Sequence, residues 1–197
     1  VCLEGFQVPL TEMYVKMHTA VEGFAGDKPQ LAIVMETLRL MTRLFYSLNW
    51  QDIPEYFEDH MNTWMTEFAK YLVYDNQLLH DDREEAGPVE SLQTAIIENL
   101  NLYASKYEEE FQSHLQHFTS AVWQLLVSVK SEPKYDSLAV SGIKFLTAVC
   151  SKEVNKGMFT NEILKMFVEK IVVHNLTASE TDEELFEDNP QDYIRKD

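Results

Sequence analysis

Phe57-Glu58-Asp59-His60-Met61-Asn62-Thr63-Trp64-Met65-Thr66-Glu67-Phe68-Ala69-Lys70-Tyr71-Leu72 is the stretch that decides the fold. Its large apolar residues, Phe57, Met61, Trp64, Met65, Phe68 and Leu72, recur at steps of three and four, so they share one side of an α-helix. Shifted by 54 positions, the stretch meets its own echo: Phe57, His60, Met61, Trp64, Phe68 and Leu72 fall on Phe111, His114, Leu115, Phe118, Val122 and Leu126. Agreement without a gap favours a structural repeat over two unrelated amphipathic helices. A further shift of about 53 meets Leu164, Val168 and Ile171, a fainter echo.

The rest of the chain reads in the same way. Apolar residues recur at helical steps almost everywhere, and no stretch sustains the alternation of a half-buried strand, so the class is all-α. Pro9 is expected to open a first helix, Leu10 to Phe24, with Met13, Met17 and Val21 inward and Gly26 beyond its end. Pro29 starts a second, with Leu31, Val34, Met35, Leu38, Met41, Phe45 and Leu48 on one face. A third begins at Pro54, with Asp52 as a candidate cap, and Pro88 starts a fourth, with Leu92, Ala95, Ile96, Leu100 and Tyr103 inward. Helices over Glu108 to Val129 and Asp136 to Cys150 form a further hairpin, with Phe111, Leu115, Phe118, Val122, Leu125, Ile143, Leu146 and Val149 as its core stripe. A last strong helix, Asn161 to Val173, presents Ile163, Met166, Phe167 and Ile171. The final 18 residues carry eight acids and two bases and read as loop with short helical turns.

Helical pairs beginning near positions 10, 54, 108 and 161 give a single α-α superhelix over 1–197, a HEAT/armadillo-like solenoid of antiparallel hairpins. The approximate repeats are 9–50, 51–106, 107–152 and an incomplete 160–197. A hairpin with so wide an apolar stripe must pack on its neighbours, and the chain neither starts with Met nor stops at an evident helix end, so it reads as a piece of something longer.

Composition narrows the partners. With 16 Lys plus Arg against 33 Asp plus Glu, the net charge of −17 repels phosphate backbones and anionic membranes but attracts basic protein segments. No nucleic acid and no membrane partner is expected, and no run approaches the roughly 20 apolar residues of a membrane span. Cys2 and Cys150 alone build neither a disulfide framework nor a cysteine zinc site, which fits a reducing compartment.

Particular residues add a family. Phe45-Tyr46-Ser47-Leu48-Asn49-Trp50-Gln51-Asp52-Ile53-Pro54-Glu55-Tyr56-Phe57-Glu58-Asp59-His60-Met61 closely resembles the importin-α export receptors, the cellular-apoptosis-susceptibility exportins of the importin-β/karyopherin family. Tyr107-Glu108-Glu109-Glu110-Phe111-Gln112, Lys134-Tyr135-Asp136-Ser137-Leu138 and Phe186-Glu187-Asp188-Asn189-Pro190-Gln191-Asp192-Tyr193-Ile194-Arg195-Lys196-Asp197 agree in order, so the resemblance spans about Leu44 to Asp197. It implies a HEAT-repeat karyopherin that carries importin-α out of the nucleus with the GTP-bound form of Ran, shuttling between cytoplasm and nucleus. This piece would be about four repeats from the amino-terminal half, with Ran contacted mainly through repeats elsewhere. The family carries no catalytic motif across, and neither a cofactor nor a metal is expected. In such hairpins the second helix lines the concave side, which nominates Glu36, Glu90 and Glu98 as the acids best placed to meet a basic partner; the plain alternative is solvated helix faces.

Other features are weighed against plainer readings. Glu110, His114 and His117 share ligand-like helical spacing, yet no second helix supplies an obvious fourth ligand and His60 repeats His114 without such companions, so a structural role is expected. Trp50, Trp64 and Trp123 read as core or inter-repeat packing. Asn175-Leu176-Thr177 spells a glycosylation acceptor with no secretory signal to deliver it, and Ser179 and Thr181 stand in acidic phosphorylation-like contexts. No glycine-rich phosphate cradle is present. A HEAT-repeat scaffold unrelated to nuclear transport and, more remotely, a metal-dependent helical enzyme are the alternatives.

Overall fold

The computed structural model describes residues 4–81, 83–130, 132–173 and 180–195. Asn175 and Ser179 lie outside the described residues, as does the side chain of Thr181. Ten α-helices follow one another among the described residues, with no strand: α1 Glu4–Gly23, α2 Lys28–Asn49, α3 Glu55–Asp59, α4 Met61–Leu72, α5 Pro88–Lys106, α6 Glu108–Ser128, α7 Asp136–Cys150, α8 Asn161–Phe167, α9 Glu180–Asp188 and α10 Pro190–Arg195. They build the all-α solenoid. The second helices α2, α5 and α7 pack side by side as one layer, and the first helices α1, α4 and α6 lie against them as the other.

Local chemistry sets the helix ends. Asp27 caps α2, its carboxylate accepting a hydrogen bond from the Gln30 amide at 3.2 Å, while Pro29 sits in the first turn where no N–H is needed. Asp52 makes no such cap: Pro54 is the residue before α3 and no side chain bonds there. The helix expected from Pro54 is broken at His60, whose φ of −103° and ψ of 15° leave the helical region. Its Nδ1 donates to the Tyr56 carbonyl at 2.8 Å and its ring stacks on Tyr56 at 4.0 Å. His114, its counterpart in the echo, lies inside the unbroken α6 instead.

At the amino terminus the expectation needs correcting. Pro9 does not open α1 but lies inside it, in the second turn, where its missing N–H costs only one bond to the carbonyl four residues back. The inward stripe is correspondingly rotated. Leu10, Tyr14 and Val21 are buried while Met13 is 55% exposed, because the Tyr14 ring packs on Trp64 and its hydroxyl meets Thr42 Oγ1 at 2.9 Å. Further along, the echo is realised in packing: Phe57, Met61, Trp64, Phe68 and Leu72 are buried, and so are Phe111, Leu115, Phe118, Val122 and Leu126.

The core centres on Phe45. Its ring touches Phe57, Trp64, Phe68 and Tyr103 at centroid separations of 4.9, 4.0, 5.6 and 6.2 Å, uniting α2 with α3, α4 and α5. Burying one such ring stabilises the fold by roughly 1.5–3 kcal/mol. The other end of the chain is thinner. The helix expected over Asn161 to Val173 is α-helical only to Phe167 and continues as a π turn over Val168–Val172. Of its apolar stripe Ile171 alone is fully buried; Ile163 and Phe167 are half-buried and Met166 is exposed. The acidic tail forms α9 and α10, which pack on each other through Phe186 and Tyr193 at 5.4 Å.

Candidate functional site

The second-helix layer presents an open groove of about 510 Å³ where α2, α5 and α7 meet. Tyr46 and Trp50 form one wall, Glu98, Asn101 and Ser105 the middle, and Lys144 and Ala148 the other. These residues project outward because the core claims the rest of each helix: on α5, Leu92, Ile96, Leu100 and Tyr103 are buried, leaving Thr94, Glu98, Asn101 and Ser105 as a narrow outward stripe. Polar contacts hold the groove's floor. Asn101 Nδ2 donates to the Ile97 carbonyl of its own helix at 3.2 Å and to the Ser141 carbonyl of α7 at 3.0 Å. On the α2 side, Lys106 Nζ donates to the carbonyls of Trp50, at 2.8 Å, and Gln51.

Trp50 departs from the sequence reading. It is 56% exposed, its ring tilted 36° against Tyr46 at 5.5 Å, whereas Trp64 is fully buried and Trp123 packs against Phe167. The reason is angular: Phe45 and Asn49, four apart, take the inward positions, and the next residue points away from them. That offset is a readable signal. Burial raises the pKa of the Tyr46 hydroxyl, and the Glu98 carboxylate beside it pushes it the same way, so an aromatic wall and a carboxylate are adjacent in the groove.

The three nominated acids do not converge. Glu98 is exposed in the groove. Glu36, on α2, is bound by the Arg39 guanidinium through two hydrogen bonds, Nε to Oε2 at 2.7 Å and Nη2 to Oε1 at 2.5 Å. That contact holds the Glu36 carboxyl below its ordinary range, with Arg43 adding to the pull. Glu90 lies eight residues before Glu98, about 12 Å along α5. It opens into a different cleft, lined by the ends of α4 and α6. With Arg39, Arg43 and Lys144 beside Glu36 and Glu98, the outward side of the second helices is mixed in sign, not uniformly acidic.

His114 and His117 lie on α6 with Glu110 one turn before them. Burial lowers the pKa of His114, as does the neighbouring His117 ring, and His114 packs 6.3 Å from Phe111. Among the described residues no three His, Cys, Asp or Glu side chains are close enough to share a metal ion, and no helix is long and apolar enough to cross a membrane.

A layered helical solenoid with a mixed-charge, aromatic-edged groove can hold a protein segment, and comparison with known proteins says which solenoid this is. The family model described as Cse1 matches residues 1–197. The chain belongs to the Cse1 family. Among its relatives, Exportin-2 of Pagrus major is 46% identical over 197 residues, covering 99% of this chain and 20% of the relative. Exportin-2 of Homo sapiens is 45% identical over the same extent. A solved structure of the exportin Cse1 in its cargo-free, cytoplasmic state superposes with a TM-score of 0.93 at 35% identity, covering 98% of this chain and 21% of that one. The chain thus spans about a fifth of the length of the Cse1-family relatives it matches. The all-α solenoid and the resemblance that began at Phe45–Met61 are both borne out.

Proposed function

We propose that the chain acts as a segment of a nuclear export receptor that binds importin-α together with Ran-GTP and returns it to the cytoplasm. The observation that carries this reading is the agreement, over nearly the whole chain, of family, sequence and fold with Cse1 and the Exportin-2 proteins. Within the segment we divide the solenoid into units 9–50, 51–106, 107–152 and an incomplete 160–197. Its work is binding, with no chemical step. We assign the cargo-facing role to the groove on the second helices, where Glu98 stands beside Tyr46 and Trp50 and can meet a basic side chain by charge and by the ring face. Glu36 contributes less, since contact with a partner would have to displace Arg39. Glu90 would meet a partner only on another surface. Ran is engaged mainly by other repeats, and the receptor shuttles between nucleus and cytoplasm.

A pull-down of the full-length receptor with importin-α, with and without GTP-loaded Ran, tests this. Retention that requires Ran-GTP is expected; equal retention in its absence sinks the export reading and favours a general scaffold.

A further inference from the structure

The cleft that takes Glu90 away from the groove is itself a site. It encloses about 390 Å³ between the ends of α4 and α6 and the start of α5. Val73, Val89, Ala121, Leu125 and Val129 supply apolar walls, and Asp75 and Glu90 supply carboxylates. Val73 is 65% exposed, so an apolar wall faces solvent.

Electrostatics selects the occupant. Leu72 closes α4 and Ser128 closes α6, and both line the cleft, so two helix C-termini bring their negative ends to it. The nearby cations are already engaged: Lys134 binds the Glu132 carboxylate at 2.9 Å and the Asp81 carbonyl at 3.1 Å, and His80 Nε2 donates to Asp75 Oδ1 at 2.5 Å. Glu90 is held at the mouth, its carboxylate folded over Gly87 at the start of α5. A Cβ on residue 87 would come within 2.6 Å of Glu90 Oε2, so the glycine makes room for that pose.

An apolar trough with carboxylates at its mouth and two helix C-termini behind them fits a long aliphatic stem that ends in a positive charge. We propose that this cleft binds an arginine or lysine side chain, with an aliphatic neighbour, from a basic segment of a partner protein. The stem lies on Val73, Leu125 and Val129 and the head meets Glu90, with Asp75 second because His80 already holds it. This surface is separate from the second-helix groove, and the proposal stands whether or not the groove binds importin-α.

The test uses this chain and a fluorescein-labelled peptide of alternating leucine and arginine, read by fluorescence anisotropy at physiological ionic strength, beside a leucine–glutamate counterpart. Glu90→Gln is expected to weaken the arginine peptide about fivefold, the scale of one solvent-accessible ion pair. Asp75→Asn should weaken it less, and Val73→Asn, at an exposed position, should weaken it without unfolding the chain. Glu84→Gln with Glu85→Gln removes two nearby exposed charges outside the cleft and should change binding less than about twofold. If that control matches the loss seen with Glu90→Gln, binding reflects the diffuse field of an acidic protein and the site is refuted. Equal binding of the glutamate peptide, or no effect of Glu90→Gln, refutes it as well.

Discussion

The seam between α2 and α5 and the seam between α5 and α7 use the same polar contacts around different fillings. Across the first, Asn99 Nδ2 donates to Ala95 of its own helix at 2.9 Å and to the Thr42 carbonyl of α2 at 3.2 Å. Across the second, Asn101 does the same toward α7 through Ser141. At the end of each seam a lysine reaches back to the end of the preceding second helix: Lys106 to the Trp50 and Gln51 carbonyls, and Lys152 to the Ala104 carbonyl, with a further contact to the Glu108 carboxylate at the start of α6. The fillings differ. The first seam is closed by rings, Phe45 against Tyr103, with the Tyr103 hydroxyl bonded to Asn49 Oδ1 at 3.1 Å and the Tyr107 hydroxyl to the Asn49 carbonyl at 2.7 Å. Behind the second, α7 closes on α6 at Gly142, where an added Cβ would lie 2.9 Å from Leu126 Cδ2. Backbone-directed contacts can repeat while side-chain volumes vary, so register and stability are carried by different atoms in this solenoid.

The largest expected effect removes the aromatic filling. Phe45→Ala should destabilise by about 3–5 kcal/mol in urea unfolding, since four rings lose their common neighbour. A loss under about 1 kcal/mol would mean that the rings are not the filling that matters. Next comes the tight approach of the other hairpin: Gly142→Val should cost about 1–3 kcal/mol, because Leu126 is itself fully buried and has little room to retreat. Asn49→Ala should cost a similar or smaller amount, about 1–3 kcal/mol, by leaving the Tyr103 hydroxyl buried without its acceptor. The half-buried Asn101→Ala should cost less, and the reverse order would break the distinction between the seams. The smallest effect is electrostatic. The folded-state pKa of Glu36 is lowered by Arg39, so the pair contributes above the ordinary carboxylate value of 4.5 and is lost as pH falls through the lower folded value. Glu36→Gln should therefore lower stability slightly at neutral pH and converge on the unmutated chain in acid, flattening the acid limb of a stability–pH profile; an unchanged acid limb would show that the pair adds nothing.

How much was legible follows the same division. Volumes at helical spacing are written in one dimension, so the Phe57–Leu72 echo in Phe111–Leu126 located two core helices that the structure buries on matching positions. What depends on neighbours was not. The inward stripe of α1 turns toward Tyr14 only because Trp64 and Thr42 stand opposite it, and the His60 that repeats His114 in sequence breaks one helix while its counterpart sits within another. The candidate site was legible in part. Placing Glu98 on an outward face and turning Trp50 away from Phe45 and Asn49 required only helical periodicity, and Arg39 lies three residues after Glu36 on the same helix, whereas the separate cleft of Glu90 depends on where the ends of α4 and α6 meet α5.

The most direct measurement is the affinity of the full-length receptor for importin-α in the presence of GTP-loaded Ran, with and without the paired changes Trp50→Ala and Glu98→Ala. Both side chains are exposed, so the fold should be unaffected. If the groove on the second helices holds cargo, the dissociation constant should rise about tenfold, the scale of an interface hot spot. An unchanged constant, or binding that does not depend on Ran, would contradict the account.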